Sequence, residues 1–217
     1  MAARLVPRLL QPLAWLVAGI LSHASTSAQR PAETTVTNLP PITVRLDREI
    51  VPGMEPLSRV YVGVGTNQLA LLAPLGFRIR SEPEQSRVVF SQPEGRCNIQ
   101  FRLHAPPLAP DAKGLKPEPF RQLLLERHPG AQVVEEYTLS AGGQSGPAFD
   151  LAWRTPTGLW LFVRTVYIPS DAGILEFSMI TDPDKAAEFR HVFNGVLLTF
   201  RSSRGGKLEV TPLSNQL

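Results

Sequence analysis

This sequence predicts an α+β fold built on a mainly antiparallel sheet of about six strands, with helices on both faces. Three observations carry the prediction. Short runs of alternating apolar and polar residues follow one another between turns rich in Pro, Gly and Glu. The stretch "LWLFVRTVYI" is apolar on nearly both sides, as a strand covered front and back would be. Two other segments carry their apolar residues at helical spacing.

In chain order, "ITVRLDREIV" and "RVYVGVG" within 42–64 are short apolar-rich stretches whose alternation is imperfect. From residue 68 the pattern sharpens. "QLALLAP", "GFRIRSEP", "RVVFSQ" and "CNIQFRLH" read as successive strands. "APPLAPDAKGLKPEP" follows, with five prolines between 106 and 119, and reads as an irregular connection. A helix is expected in "EPFRQLLLERHPG", where Phe120, Leu123 and Leu124 share a face and Pro129-Gly130 ends it.

The next strand, "QVVEEYTLS", would place Val133, Tyr137 and Leu139 on one side, with Glu135 interrupting. "AFDLAWRT" points Phe149, Leu151 and Trp153 inward, and "GILEFSMIT" groups Leu175, Phe177 and Met179. The turns "PTG" and "PSDAG" are hairpin-sized, so the strands they join should be antiparallel neighbours. In "DPDKAAEFRHVFNGVLLTF", Asp182 suits an N-cap and Pro183 the first helical position. Ala186, Phe189, Phe193, Val196 and Leu197 form its apolar stripe. The domain is expected over 42–202, with 203–217 as a loose tail.

The first thirty residues resemble a secretory signal. Arg4 and Arg8 make a basic start, Leu13 to Leu21 is an unbroken apolar or small run, and small residues follow. Thr26 and Ala28 suit a cut between Ala28 and Gln29, with Ser22 and Ala24 offering an earlier alternative; on the first, 1–28 would be removed and 29–41 would be a flexible leader. A membrane anchor fits less well, because nine helical residues rise only about 14 Å against a bilayer core of about 30 Å. Export without stable membrane insertion is therefore expected. Losing Arg4 and Arg8 leaves 20 basic against 19 acidic residues, a formal net of +1. With no basic cluster of five or more, a nucleic-acid partner is not expected. A single cysteine cannot form an internal disulfide, so the fold must rest on its apolar core.

The run "APLGFRIRSEPEQSRVVF", the proline-rich connection, the helix, the meander and the closing "FRHVFNGVLLTFRSS" together resemble the PsbP-like superfamily over about 68–202. That group includes a photosystem extrinsic protein, a Ran-binding import factor and bacterial envelope proteins. Gly76 and Phe77 entering a strand, Pro83, and the helix end at Phe193, Leu197 and Phe200 carry the resemblance. It implies an α/β/α sandwich and brings no catalytic motif with it.

Few residues suggest chemistry. Cys97 and His104 fall on opposite strand faces and lie seven steps apart, roughly 23 Å, so they cannot pair. Cys97 shares its face with Ile99, Phe101 and Leu103, which marks it as a small core hydrophobe. His104 ends the polar face as a solvated histidine that could line a cleft. His128 sits at the basic end of the first helix, and His191 is expected to pair with Glu188 on a helix surface. No two histidines have metal-ligand spacing, and no cofactor motif is found. "GVGTNQ" lacks the third glycine of a dinucleotide loop, and "GQSGP" puts Pro147 where a nucleophile elbow needs glycine.

Asp150, Arg154, Arg164 and Glu176 are charges set inside apolar strands, so burial would force them to pair. They are read either as an ion-pair network under a helix or as a polar groove, with Trp153 and Trp160 as possible contact residues. Three functions follow in order of support. The first is an accessory protein without catalysis, acting on an envelope or secreted protein partner. The second is a small-ligand or ion carrier using the polar groove. The third is a hydrolase built around His104.

Overall fold

The computed structural model describes residues 41–50, 53, 55–104, 114–205 and 208, all within one unit, Thr37–Leu217. The expected signal segment and its Ala28–Gln29 cut, nearly all of the leader, and most of the tail lie outside the described residues. Among the described residues, eleven strands form two sheets. The smaller contains β1 (Thr43–Glu49), β2 (Leu57–Val64), β3 (Asn67–Leu72) and β11 (Arg201–Ser203) in the order β1-β2-β3-β11.

The larger sheet holds seven strands in the order β4-β5-β6-β10-β9-β8-β7. These are β4 (Arg78–Glu82), β5 (Arg87–Ser91), β6 (Cys97–His104), β7 (Gln132–Ala141), β8 (Gln144–Arg154), β9 (Trp160–Ser170) and β10 (Gly173–Thr181). All its pairings are antiparallel. The helices are α1 (Pro117–Arg127) and α2 (Ala186–Thr199). Among the described residues, no helix is long and apolar enough to cross a membrane.

The register of the hairpins determines which side chains share a face. Asp150 pairs with Arg164, and Arg164 with Met179, so these three lie on one face of the large sheet. Glu176, an odd number of steps from Met179, lies on the other. The first face meets the small sheet and α2. There Val60, Val62, Leu69 and Leu71 pack with Phe90, Phe101, Phe177 and Met179 and with Phe193 and Leu197 of α2. On the second face, Phe120 and Leu124 of α1 pack with Phe149, Leu151, Val163 and Tyr167. Burying each of these large side chains contributes roughly 1.5–3 kcal/mol.

The structure revises several expectations. The sheet has seven strands where about six were expected, and a second sheet is added. Arg201–Ser203, which run across the expected end of the domain at 202 into the first residue of the expected tail, pair with β3 and close that sheet's edge. A bulge between Val133 and Glu135 puts Val133 with the α1-side cluster and Tyr137 and Leu139 with the other, so the three do not share a side. Pro183–Lys185 form a 3₁₀ turn before α2, and the Asp182 carboxylate makes no capping hydrogen bond. Glu188 pairs with Lys185 at 3.0 Å, where His191 was expected.

The near-motifs resolve as strand geometry. Gly65 and Thr66 are the two-residue turn joining β2 to β3, and Gly142-Gly143 is the turn joining β7 to β8. Gly146 of the "GQSGP" run lies within β8, pressed against β9: a Cβ there would sit 1.7 Å from the Tyr167 carbonyl oxygen. A backbone carbonyl cannot yield as a flexible side chain can. Gly146→Ala should therefore lower stability by more than about 2 kcal/mol. Urea unfolding at neutral pH checks this, and an unchanged midpoint would contradict the close approach.

Candidate functional site

The four charges that the sequence groups together separate into two clusters and one surface residue. Beneath α2, Asp150 is 1% exposed and accepts hydrogen bonds at every lone-pair direction. Its Oδ1 accepts from Arg164 Nε at 2.8 Å and from the Tyr137 hydroxyl at 2.8 Å. Its Oδ2 accepts from Arg164 Nη2 at 2.7 Å and Arg190 Nη2 at 3.2 Å. The Arg164 contact is a two-pronged fork, the strongest geometry for a guanidinium on a carboxylate.

Aromatic faces complete this cluster. The Arg164 guanidinium lies 5.2 Å from the Tyr137 ring, and Arg190 lies 5.1 Å from Phe162. Burial opposes the Arg164 charge, but its hydrogen bonds and attraction to Asp150 more than compensate and raise its pKa. Burial, then the Asp150 hydrogen bond, pushes the Tyr137 phenol up. Both residues are thus held in their ordinary protonation states.

On the opposite face, Glu176 is fully buried under α1. Its Oε2 lies 2.6 Å from His104 Nε2, while Oε1 accepts from Arg127 Nη1 and from the Ser178 hydroxyl at 3.2 Å. An ionised carboxylate only accepts, so His104 carries its proton on Nε2. Burial alone would raise the Glu176 pKa. The His104 hydrogen bond and the Arg127 charge outweigh it, holding the group at about 2. His104 is therefore committed to a carboxylate and is not the solvated strand end that the sequence suggests.

Arg154 joins neither cluster. It pairs in register with Trp160, and its guanidinium stands 6.0 Å from that ring. The single polar groove of Asp150, Arg154, Arg164 and Glu176 is therefore not formed, because strand alternation sends Glu176 to the other face. Trp153 is tucked over α1's end: His128 meets its ring edge-on at 4.6 Å, and its Nε1–H donates to the Pro129 carbonyl at 3.3 Å. Trp160 is 56% exposed beside Leu159 at 63%. Cys97 is buried, and burial pushes its thiol up to about 12, far from a reactive thiolate.

A pocket of about 320 Å³ opens beside the β7–β8 hairpin, lined by Leu115, Pro117, Glu136, Tyr137, Gly146 and Pro147 among others. None of the candidate site residues Asp150, Arg154, Arg164, Glu176, His104, Trp153 and Trp160 lines it, although Gly146 and Pro147 of the "GQSGP" run do. Among the described residues, no group of three or more His, Cys, Asp or Glu side chains could hold a metal ion.

Arg127, Arg190 and Tyr137 were missed in sequence, although two of them carry a readable signal. Arg190 continues the buried series Ala186, Phe193, Leu197 at helical spacing, and Arg127 follows Phe120 and Leu124 in the same way. A guanidinium on an apolar helix face calls for a buried carboxylate.

No family model matches the chain, and no curated protein matches it in sequence. Solved structures similar to it include cyanobacterial PsbP (CyanoP) from Synechocystis sp. PCC 6803, at 13% identity and a TM-score of 0.46, covering 65% of this chain and 95% of that one. LpqN of Mycobacterium tuberculosis, described as involved in cell envelope biogenesis, matches at 16% identity and a TM-score of 0.43, covering 75% and 91%. A Pseudomonas aeruginosa protein of unknown function matches at 19% identity and a TM-score of 0.41, covering 54% and 91%.

The depressed Glu176 pKa has a definite sign in stability. Its contribution is complete above the usual carboxylate value of 4.5 and is lost as pH falls through about 2. Wild type should lose on the order of a few kcal/mol across that window, and Glu176→Gln should lack this component. Denaturant unfolding at pH 5, 3.5 and 2.5 tests it. Identical pH slopes in the two proteins would show that the buried carboxylate is not ionised.

Proposed function

We propose that this chain is an exported accessory protein of the cell envelope, without catalysis of its own, that acts by contacting another envelope or secreted protein. Its fold in this reading is the PsbP-like α/β/α sandwich. Export rests on the signal-like pattern ending at Ala28 and Gln29. Trp160 is the observation that carries the contact. It opens β9 directly after the exposed Leu159, with Arg154 over its ring. An indole, an arginine and a leucine at a hairpin tip supply apolar area and oriented hydrogen-bond donors together, and Trp and Arg are the residue types that anchor protein interfaces.

The polar residues weigh toward structure. Asp150 and Glu176 have their acceptor positions filled by strand and helix side chains, so neither is free to grip a ligand. The carrier reading based on a shared groove therefore loses its site. With Nε2 held by the Glu176 carboxylate, a hydrolase built on His104 would have to use its other ring nitrogen, Nδ1, as the base.

Affinity purification of the full chain from an envelope fraction should recover a stoichiometric partner. Trp160→Ala should reduce that recovery about tenfold or more while leaving the thermal unfolding midpoint within a few degrees. Repeated recovery of the chain alone, or undiminished recovery with Trp160→Ala, would contradict this reading.

A further inference from the structure

On the α1 side of the large sheet, four residues stand in one cross-strand row. Arg87 of β5 is opposite Arg102 of β6, Arg102 is opposite Glu176 of β10, and Glu176 is opposite Tyr167 of β9. Two arginines face one another here, which like charges do only at an energetic penalty. Arg87 is engaged, donating to Glu82 through Nε at 2.8 Å and through Nη2. Glu82 also pairs with Arg80 at 2.8 Å. Arg127 and His104 take up the Glu176 carboxylate. Around Arg102, four guanidinium groups thus share two carboxylates, both already paired.

Arg102 is left over. Among the described residues it makes no hydrogen bond, and its Nε is buried without a partner. Tyr167, in the same row, is fully buried with its hydroxyl turned toward the Glu176 carboxylate, so it offers Arg102 no negative charge. Burial works against the Arg102 charge, and Arg127 and Arg87 add to that; Glu176 offsets only part of it. A guanidinium in this position is expected to have an anion beside it.

We infer that Arg102, flanked by Arg87 and Arg127, forms a binding site for a small oxyanion, a carboxylate or a phosphate, on the polar face of β6 beside α1. Two oxygens on one side of such an anion match the two-pronged edge of a guanidinium. The site is separate from the Trp160 surface and from the proposed protein contact, so either can fail alone.

The test uses the full chain, without any partner, in chloride buffer of constant ionic strength. Inorganic phosphate and acetate are added in separate arms, and binding is read by calorimetry and by the unfolding midpoint. At least one anion should bind saturably and raise the midpoint above the chloride control. A response to phosphate alone, to acetate alone, or to both assigns the class. Arg102→Gln should weaken that binding about tenfold or more, and Arg48→Gln, an exposed arginine on β1, should not. Should Arg102→Gln fail to fold, Arg102→Lys keeps the charge without the fork and should weaken binding as well. No saturable response to either anion, or an equal response in the Arg102 variants, would overturn the proposal.

Discussion

Two carboxylates buried in one sheet are the constraint on which this fold turns. Asp150 and Glu176 sit on neighbouring regions of the same layer but project to opposite faces, each under a helix. An ionised carboxylate removed from water requires a full set of donors. Part of each set comes from within the sheet: Arg164 and Tyr137 for Asp150, His104 and Ser178 for Glu176. The rest comes from the helices, Arg190 from α2 and Arg127 from α1. Apolar burial makes the helices adhere, and the charge pairs specify where along the sheet they come to rest.

That arrangement separates structural charge from chemically available charge. Asp150, Arg164, Glu176 and His104 are consumed in holding layers together. What stays available is at the margins: Trp160 and Arg154 at a hairpin tip, and Arg102 in a row where cations outnumber carboxylates. Recognition by a protein partner suits the first, and capture of a small anion suits the second.

Much of the fold could be read from residue patterns, because alternation and helical spacing are local properties. The strands of the meander, both helices and the inert setting of Cys97 followed from them. Contacts made at a distance did not. Nothing around Arg201 signals that it pairs with Ala70, since that closure depends on the path of the whole chain. The bulge after Val133 reverses a strand's facing through one extra residue, and alternation alone cannot report it. The division of the charges was more accessible. The hairpin joining β8 to β9 sets Arg154 opposite Trp160, hence Asp150 opposite Arg164, and the next hairpin sends Glu176 to the other face. What could not be read was β6 as the far neighbour of β10, which brings His104 and Arg102 to Glu176.

Hydrogen–deuterium exchange on the folded chain, comparing Asp150→Asn with Glu176→Gln, tests most directly whether each carboxylate seats its own helix. The account predicts faster exchange in α2 for the first variant and in α1 for the second, with the opposite helix unchanged in each. If both variants loosen both helices equally, or neither helix responds, the buried carboxylates do not position the layers.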